Sequence, residues 1–161
     1  ALNSGADKVA INTQSVKDPS FIQHASKTFG SQCIVSSVDV MRIADGKWEV
    51  FIDNGREPTG LDVIEWVKKL ESLGAGEIML TSIDSEGTKK GFDLELNKAV
   101  GEAVSIPVIA SGGAGTVSDI TDLMAESNVD AVAVASLLHY DLATISDIKL
   151  GLSAQGIRVR M

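Results

Sequence analysis

Two stretches carry residues whose types and spacing can do chemistry. Residues 106–115 read IPVIASGGAG, a short apolar strand that breaks into a glycine-rich turn. A helix signal follows at once, with Thr116 or Ser118 as the candidate cap. Gly112, Gly113 and Gly115 let a backbone approach a ligand, and the first N–H groups of the next helix have no intrahelical partner. Strand, turn and helix start together make an anion site, most often for phosphate. The same residues also suit a tight β-to-α turn with no ligand. The second stretch is 34–40, IVSSVDV, whose Asp39 is the one carboxylate read directly at a strand end. In a dry pocket such a group has a raised pKa and works as a general acid or base. The alternative is an aspartate that anchors a neighbouring loop through backbone N–H groups.

These groups need a scaffold, and the apolar pattern supplies one. Strand-like runs occupy 8–13, 34–40, 77–82, 106–111 and 131–136. A helical pattern follows each. The first starts at Asp18-Pro19, carries Ile22, Ala25 and Phe29 and stops at Gly30. The second runs over 61–73 and the third from an Asp93 cap to about Val104. The fourth carries Val117, Ile120 and Leu123, and the last carries Ile145, Ile148 and Leu152 and ends at Gly156. Between the second strand and its helix, Asp45-Gly46 and Asn54-Gly55 are hairpin signals. They predict a β-hairpin excursion at about 41–60, packed by Trp48. Cys33, at the start of its strand, reads as a small buried residue.

A weak repeat runs through GADKVAINT, GAGEIMLTS and NVDAVAVAS. Repeating β/α units with strands apolar on both faces predict an all-parallel sheet covered by helices. An open doubly wound sheet and a (β/α)8 barrel both fit, and the repeat favours the barrel. A full barrel takes about 250 residues. The 161 residues therefore read as one partial-barrel domain, 1–161, of about five β/α units. The chain opens on Ala1 and reaches a strand almost at once, which is expected of the C-terminal part of a barrel.

Composition narrows the partners. The formal net charge of −8 argues against a nucleic-acid or anionic-membrane surface. Cys33 is the only cysteine, so no disulfide framework is expected and the chain reads as cytoplasmic. His24 and His139 are too few and too far apart for a histidine metal site. No apolar run approaches a membrane span.

In parallel β/α folds, chemistry gathers at the carboxyl ends of the strands. Here those ends carry Asn12 and Thr13, then Asp39, then Thr81 with Ser82 and Asp84, then Ser111 with Gly112, and Ala135 with Ser136. The last two turns end adjacent strands, where barrel phosphate sites commonly form.

The segments GADKVAINT, VDV, GAGEIMLTSID, EGTKKGFD and IPVIASGGAG, with ADGKWEV and its hairpin, resemble the cyclase subunit of imidazole glycerol phosphate synthase. The resemblance runs from the first residues to the last and corresponds to strands four to eight of a (β/α)8 barrel. It implies a lyase of histidine biosynthesis. Such an enzyme condenses ammonia with a substrate carrying a phosphate at each end and uses no cofactor or metal. A glutaminase partner delivers the ammonia.

By the resemblance, Asp39 is one of two catalytic aspartates. Asn12 and Thr13 serve one phosphate; Glu86, Gly87, Gly112, Ala135 and Ser136 serve the other. Thr81 and Ser111 line the pocket between them. Lys8 and Glu77 belong to a charged ring at the ammonia entrance, and Asp7 faces the glutaminase. Glu86 stands where the family usually has Asp, Met41 where it has Lys, and Leu138 where it has Phe. The resemblance also implies that three further β/α units, with the second aspartate, belong to the whole barrel. The chain alone is then expected to be inactive and to self-associate through open edges. A sister isomerase and a non-catalytic phosphate-binding partial barrel are the alternatives.

Overall fold

The computed structural model describes residues 1–160. The chain forms β1 (Val9–Ile11), α1 (Thr13–Lys17) and α2 (Ser20–Phe29). A long strand β2 (Ile34–Ala44) follows, then β3 (Lys47–Ile52), β4 (Glu57–Asp62) and α3 (Val63–Ser72). After these come β5 (Glu77–Ser82), α4 (Leu94–Ala103), β6 (Val108–Ser111) and α5 (Val117–Glu126). The last elements are β7 (Ala131–Ala133), α6 (Ser136–His139) and α7 (Ile145–Ala154). No helix among the described residues is long and apolar enough to cross a membrane.

Strands β1, β2, β5, β6 and β7 are parallel and lie side by side in chain order. A doubly wound sheet reverses its strand order at a switch point. This sheet does not, so that alternative falls and the arrangement is that of a partial, barrel-like β/α domain. Parallel crossovers are right-handed, and repeating one between successive neighbours puts every helix on the same face. Accordingly α3 packs on α4, α4 on α5, and α5 on α7.

A single helix layer covers the sheet on one face only, as in a barrel. Along β5, Ile78, Leu80 and Ser82 are buried while Glu77, Met79 and Thr81 are half-exposed. Along β6, Val108 and Ala110 are buried while Ile109 and Ser111 are half-exposed. Side chains alternate across a strand, so one face meets the helices and the other stays open. The open face carries Glu77, Thr81 and Ser111 beside the apolar Met79 and Ile109.

β2 runs on to Ala44, beyond the end its apolar pattern marks at Val40. Its first half pairs with β1 and its second half pairs antiparallel with β3, so one strand edge serves two partners. β4 extends the excursion to Asp62, which displaces the start of α3 from the expected 61 to Val63. Asp62 then caps α3, its Oδ1 accepting from the backbone N–H groups of Ile64 (2.9 Å) and Glu65 (3.1 Å). Trp48 packs the excursion: it is 4% exposed, and its Nε1 donates to Asp93 Oδ2 at 3.1 Å. The Arg42 guanidinium lies 4.6 Å from the Trp48 ring and bonds both Asp93 and Glu95, fastening the excursion to the start of α4. Edge strands β1 and β7 are shorter than their patterns, and α1 and α6 were not legible in the sequence. Cys33 is half-buried in a short 3-10 turn.

The loop 83–93 lies on the turn 112–116. A Cβ added to Gly113 would stand 2.0 Å from the Gly91 carbonyl oxygen, and one on Gly115 would stand 2.2 Å from that of Lys89. One on Gly112 would stand 2.8 Å from that of Ser82. The Gly91 N–H donates to the Gly113 carbonyl at 2.9 Å. The three glycines therefore admit a neighbouring backbone, where the sequence suggested that they admit a ligand.

Gly113 and Gly87 both take left-handed backbone, at φ 110° and 71°, but only Gly113 is crowded. Gly87→Ala should cost only the left-handed strain, about 1–2 kcal/mol. Gly113→Ala should cost a further ~1–3 kcal/mol from overpacking. Urea unfolding of the two variants measures the difference; equal losses would mean that the loop is not seated on the turn.

Candidate active site

Register brings the candidate residues together. Asp39 stands beside Thr81 across β2 and β5, and Thr81 stands beside Ser111 across β5 and β6. Ser111 in turn pairs with Ala133. One polar row thus crosses the open face at the carboxyl end of the sheet, one residue per strand.

Two cavities flank this row. Asp39 and Thr81 line one of about 270 Å3, together with Asn54, Gly55 and Glu86. The tip of the excursion therefore walls the Asp39 cavity. The other, about 190 Å3, is lined by Ser111, Gly112, Gly87, Ala135 and Ser136, and again by Glu86. It is smaller than the range of about 300–1,000 Å3 typical of whole drug-sized ligands, and suits an end group. Glu86 is a wall common to both.

Burial pushes the Asp39 carboxyl above the ordinary aspartate range, and its hydrogen bond with Thr81 pulls the other way. Desolvation disfavours the charged form, so the group keeps its proton to higher pH than a solvated aspartate. That suits a residue that must take and return a proton.

Thr116 is the cap of α5, and the Asp119 carboxylate accepts from the N–H groups of Gly115 (2.9 Å) and Thr116 (2.8 Å). Two backbone donors of the turn just before α5 are thus already used by a carboxylate.

Asn12 and Thr13 line neither cavity. Asn12 Nδ2 donates to the Ser37 carbonyl at 3.1 Å and to that of Phe51 at 3.5 Å. Thr13 Oγ1 donates to Asn12 Oδ1 (3.1 Å) and accepts from the Asp53 N–H (3.1 Å). Both side chains hold the excursion to the end of β1. Asp84 is also structural, its Oδ2 accepting from the Arg42 N–H at 2.8 Å. At the opposite end of the sheet Lys8 pairs with Glu77, joining the approach to β1 with the start of β5. Asp7 is exposed beside them.

The sequence did not single out Asn54, Gly55 or Lys89, the last of which lines the smaller cavity. Asn54-Gly55 was visible only as a turn signal. Nothing in the spacing said that the turn would fold back over Asp39.

A family model described as histidine biosynthesis protein matches residues 1–144. This chain belongs to that family. Members of the histidine biosynthesis family are enzymes of that pathway, isomerases and cyclases. Membership agrees with the parallel β/α architecture and with a site drawn from several strand ends.

The raised Asp39 pKa has a consequence for stability. The folded state binds this proton more tightly than the unfolded chain does. Stability from this group is therefore highest below the ordinary aspartate pKa, falls as pH rises to the folded pKa, and is flat above it. Asp39→Asn removes that dependence. Its stability relative to the parent chain should rise across this window and then level off. Urea midpoints across a pH series measure it; a constant offset would mean that Asp39 titrates as a solvated group.

Proposed function

We propose that this chain is the cyclase part of imidazole glycerol phosphate synthase. In this reading it condenses ammonia with a phosphoribulosyl-formimino aminoimidazole carboxamide ribonucleotide and releases imidazole glycerol phosphate, an aminoimidazole carboxamide ribonucleotide and water. The observation that carries the reading is the pair of cavities sharing Glu86, with Asp39 in one and the glycine turn in the other. The excursion supports a cyclase in particular, because Asn54 and Gly55 close the Asp39 side.

One phosphate end of the substrate sits against Gly87, Gly112, Ala135 and Ser136. The reacting part then lies along the row of Asp39, Thr81 and Ser111. Asp39 moves a proton on the closing ring, and Thr81 orients its carboxylate. Asn12 and Thr13 serve the second phosphate by exchanging hydrogen bonds that now hold the excursion. Lys8 and Glu77 form part of an ammonia entrance at the far end of the sheet, and Asp7 belongs to the surface that a glutaminase would cover. Edge strands β1 and β7 have one neighbour each. A full barrel of about eight units is completed there by further β/α units or by a second copy of the chain. The enzyme works in the cytoplasm without a resident cofactor.

The test is ammonia-dependent release of imidazole glycerol phosphate. It is measured for the chain alone and after refolding with a separately made three-unit N-terminal fragment of a full-length cyclase. We expect turnover in the mixture, lost in Asp39→Asn while inorganic phosphate still binds. Isomerisation of the earlier bisphosphate by the mixture would assign the chain to the sister isomerase. A folded but inert complex would overturn the enzymatic reading and leave a phosphate-binding module.

A further inference from the structure

The cavity read as a phosphate end has a charge problem. Glu86 brings a full negative charge to its wall, and Ser111, Ser136 and the backbone of Gly112 and Gly113 are neutral. The chain as a whole carries a net charge of −8. The Gly115 and Thr116 N–H groups do not offset this, since Asp119 holds them. A phosphate dianion beside Glu86 needs a cation within contact.

Lys89 lines the same cavity. Its ammonium rests 4.4 Å from the ring centroid of Tyr140, just beyond α6. Among the described residues no carboxylate pairs with it. Its backbone is left-handed, at φ 58°, a conformation that costs a lysine free energy and that persists only where surrounding structure imposes it. The imposing contact is the Lys89 carbonyl, seated where Gly115 has no Cβ. The main chain is thus pinned at the cavity rim, and the ammonium travels by side-chain rotation alone. An exposed ring holds a cation only weakly, and Tyr140 is 58% exposed. A phosphate oxygen holds it more strongly, through a charge-assisted hydrogen bond.

We propose that Lys89 is the cation that completes this anion site, resting on the Tyr140 ring until a phosphate group takes it. The inference rests on the phosphate reading of the cavity. Tyr140 then acts as a positioning residue. It keeps the ammonium near the rim and away from Glu86, whose carboxylate would otherwise compete for it. The preferred ligand is a phosphate monoester end, whose terminal oxygens can accept from the ammonium and from the neutral hydroxyl and backbone donors at once.

Tyr140 is the only tyrosine in the chain, so its ring resonances are assigned without ambiguity; the ring also meets that of His139 at 5.1 Å, so the titration is run at one fixed pH. The experiment is an NMR titration of the full chain with inorganic phosphate, following the Tyr140 ring and the amides of Gly112 and Gly113. In the parent chain all three should shift along one binding curve. Lys89→Ala should weaken binding about tenfold or more and leave the Tyr140 ring unmoved by phosphate. Lys89→Arg should restore both signals, which also shows that loss in the alanine variant is not misfolding. Tyr140→Phe should bind like the parent, because the ring and not the hydroxyl holds the lysine. If the parent binds and Lys89→Ala binds equally well, Lys89 is not the site cation and this inference alone fails. If the parent shows no shift at Gly112 and Gly113, the phosphate reading of the cavity fails with it.

Discussion

The contact on which the site depends is backbone against backbone. Loop 83–93 lies on turn 112–116 so closely that Gly113 and Gly115 can have no Cβ, and the end of β5 crowds Gly112 in the same way. This seat fixes Glu86, Gly87 and Lys89 over the end of β6, although they belong to the β5–α4 connection. Without it, a long polar loop would be tethered on its other side alone, by the Ile83 and Asp84 bonds to the end of β2 and by the Arg42 and Trp48 bonds to Asp93. The two tethers act in opposite directions across the loop. One pulls it towards the glycine turn and the other towards the excursion, and Glu86 stands between them, touching both cavities. Gly87 meets nothing within 4 Å. The loop is thus anchored at its flanks and open at its tip, as a segment that meets a ligand must be.

A second constraint is the one-sided helix layer. Once successive strands are neighbours, right-handed connection leaves the other sheet face without helices. In a closed barrel that face becomes the interior; here it is half-exposed and carries Asp39, Thr81 and Ser111 in register. The raised pKa of Asp39 follows from the same geometry. The open face and the excursion bury the carboxyl enough to desolvate it, and the one hydrogen-bonding side chain beside it, Thr81, only partly offsets that.

Much of this was legible in the sequence because it rests on local rules. The five strand positions, the Asp93 and Thr116 caps, the glycine stops and the Asn54-Gly55 turn are each set within a few residues. What was not legible involves two distant segments. SGGAG looks the same whether its missing Cβ atoms make room for a phosphate or for the carbonyl oxygens of Gly91 and Lys89. Apolar strands look alike whether one face or both are covered, since Met79 and Ile109 are apolar yet sit on the open side. Asn12 and Thr13 carry donors suited to a phosphate, but the excursion's own carbonyl and N–H groups reach them first. Each miss has one cause: a polar or small residue advertises what it can bind, and only the fold says what arrives.

Charge shows why that distinction matters for function. An acidic chain cannot draw in an anionic ligand by its overall field, which repels it. Recognition must be local and must be built from groups held in place before the ligand comes. Two of the obvious local donors, the N–H groups of Gly115 and Thr116, are committed to Asp119, and that commitment stabilises α5 through a capping box. The helix thus stabilises itself with the donors that a phosphate would otherwise use. What remains at the cavity is hydroxyl and backbone lining, the Glu86 carboxylate and the ammonium of Lys89. Such a site holds little positive charge when empty and gathers it only as the ligand enters.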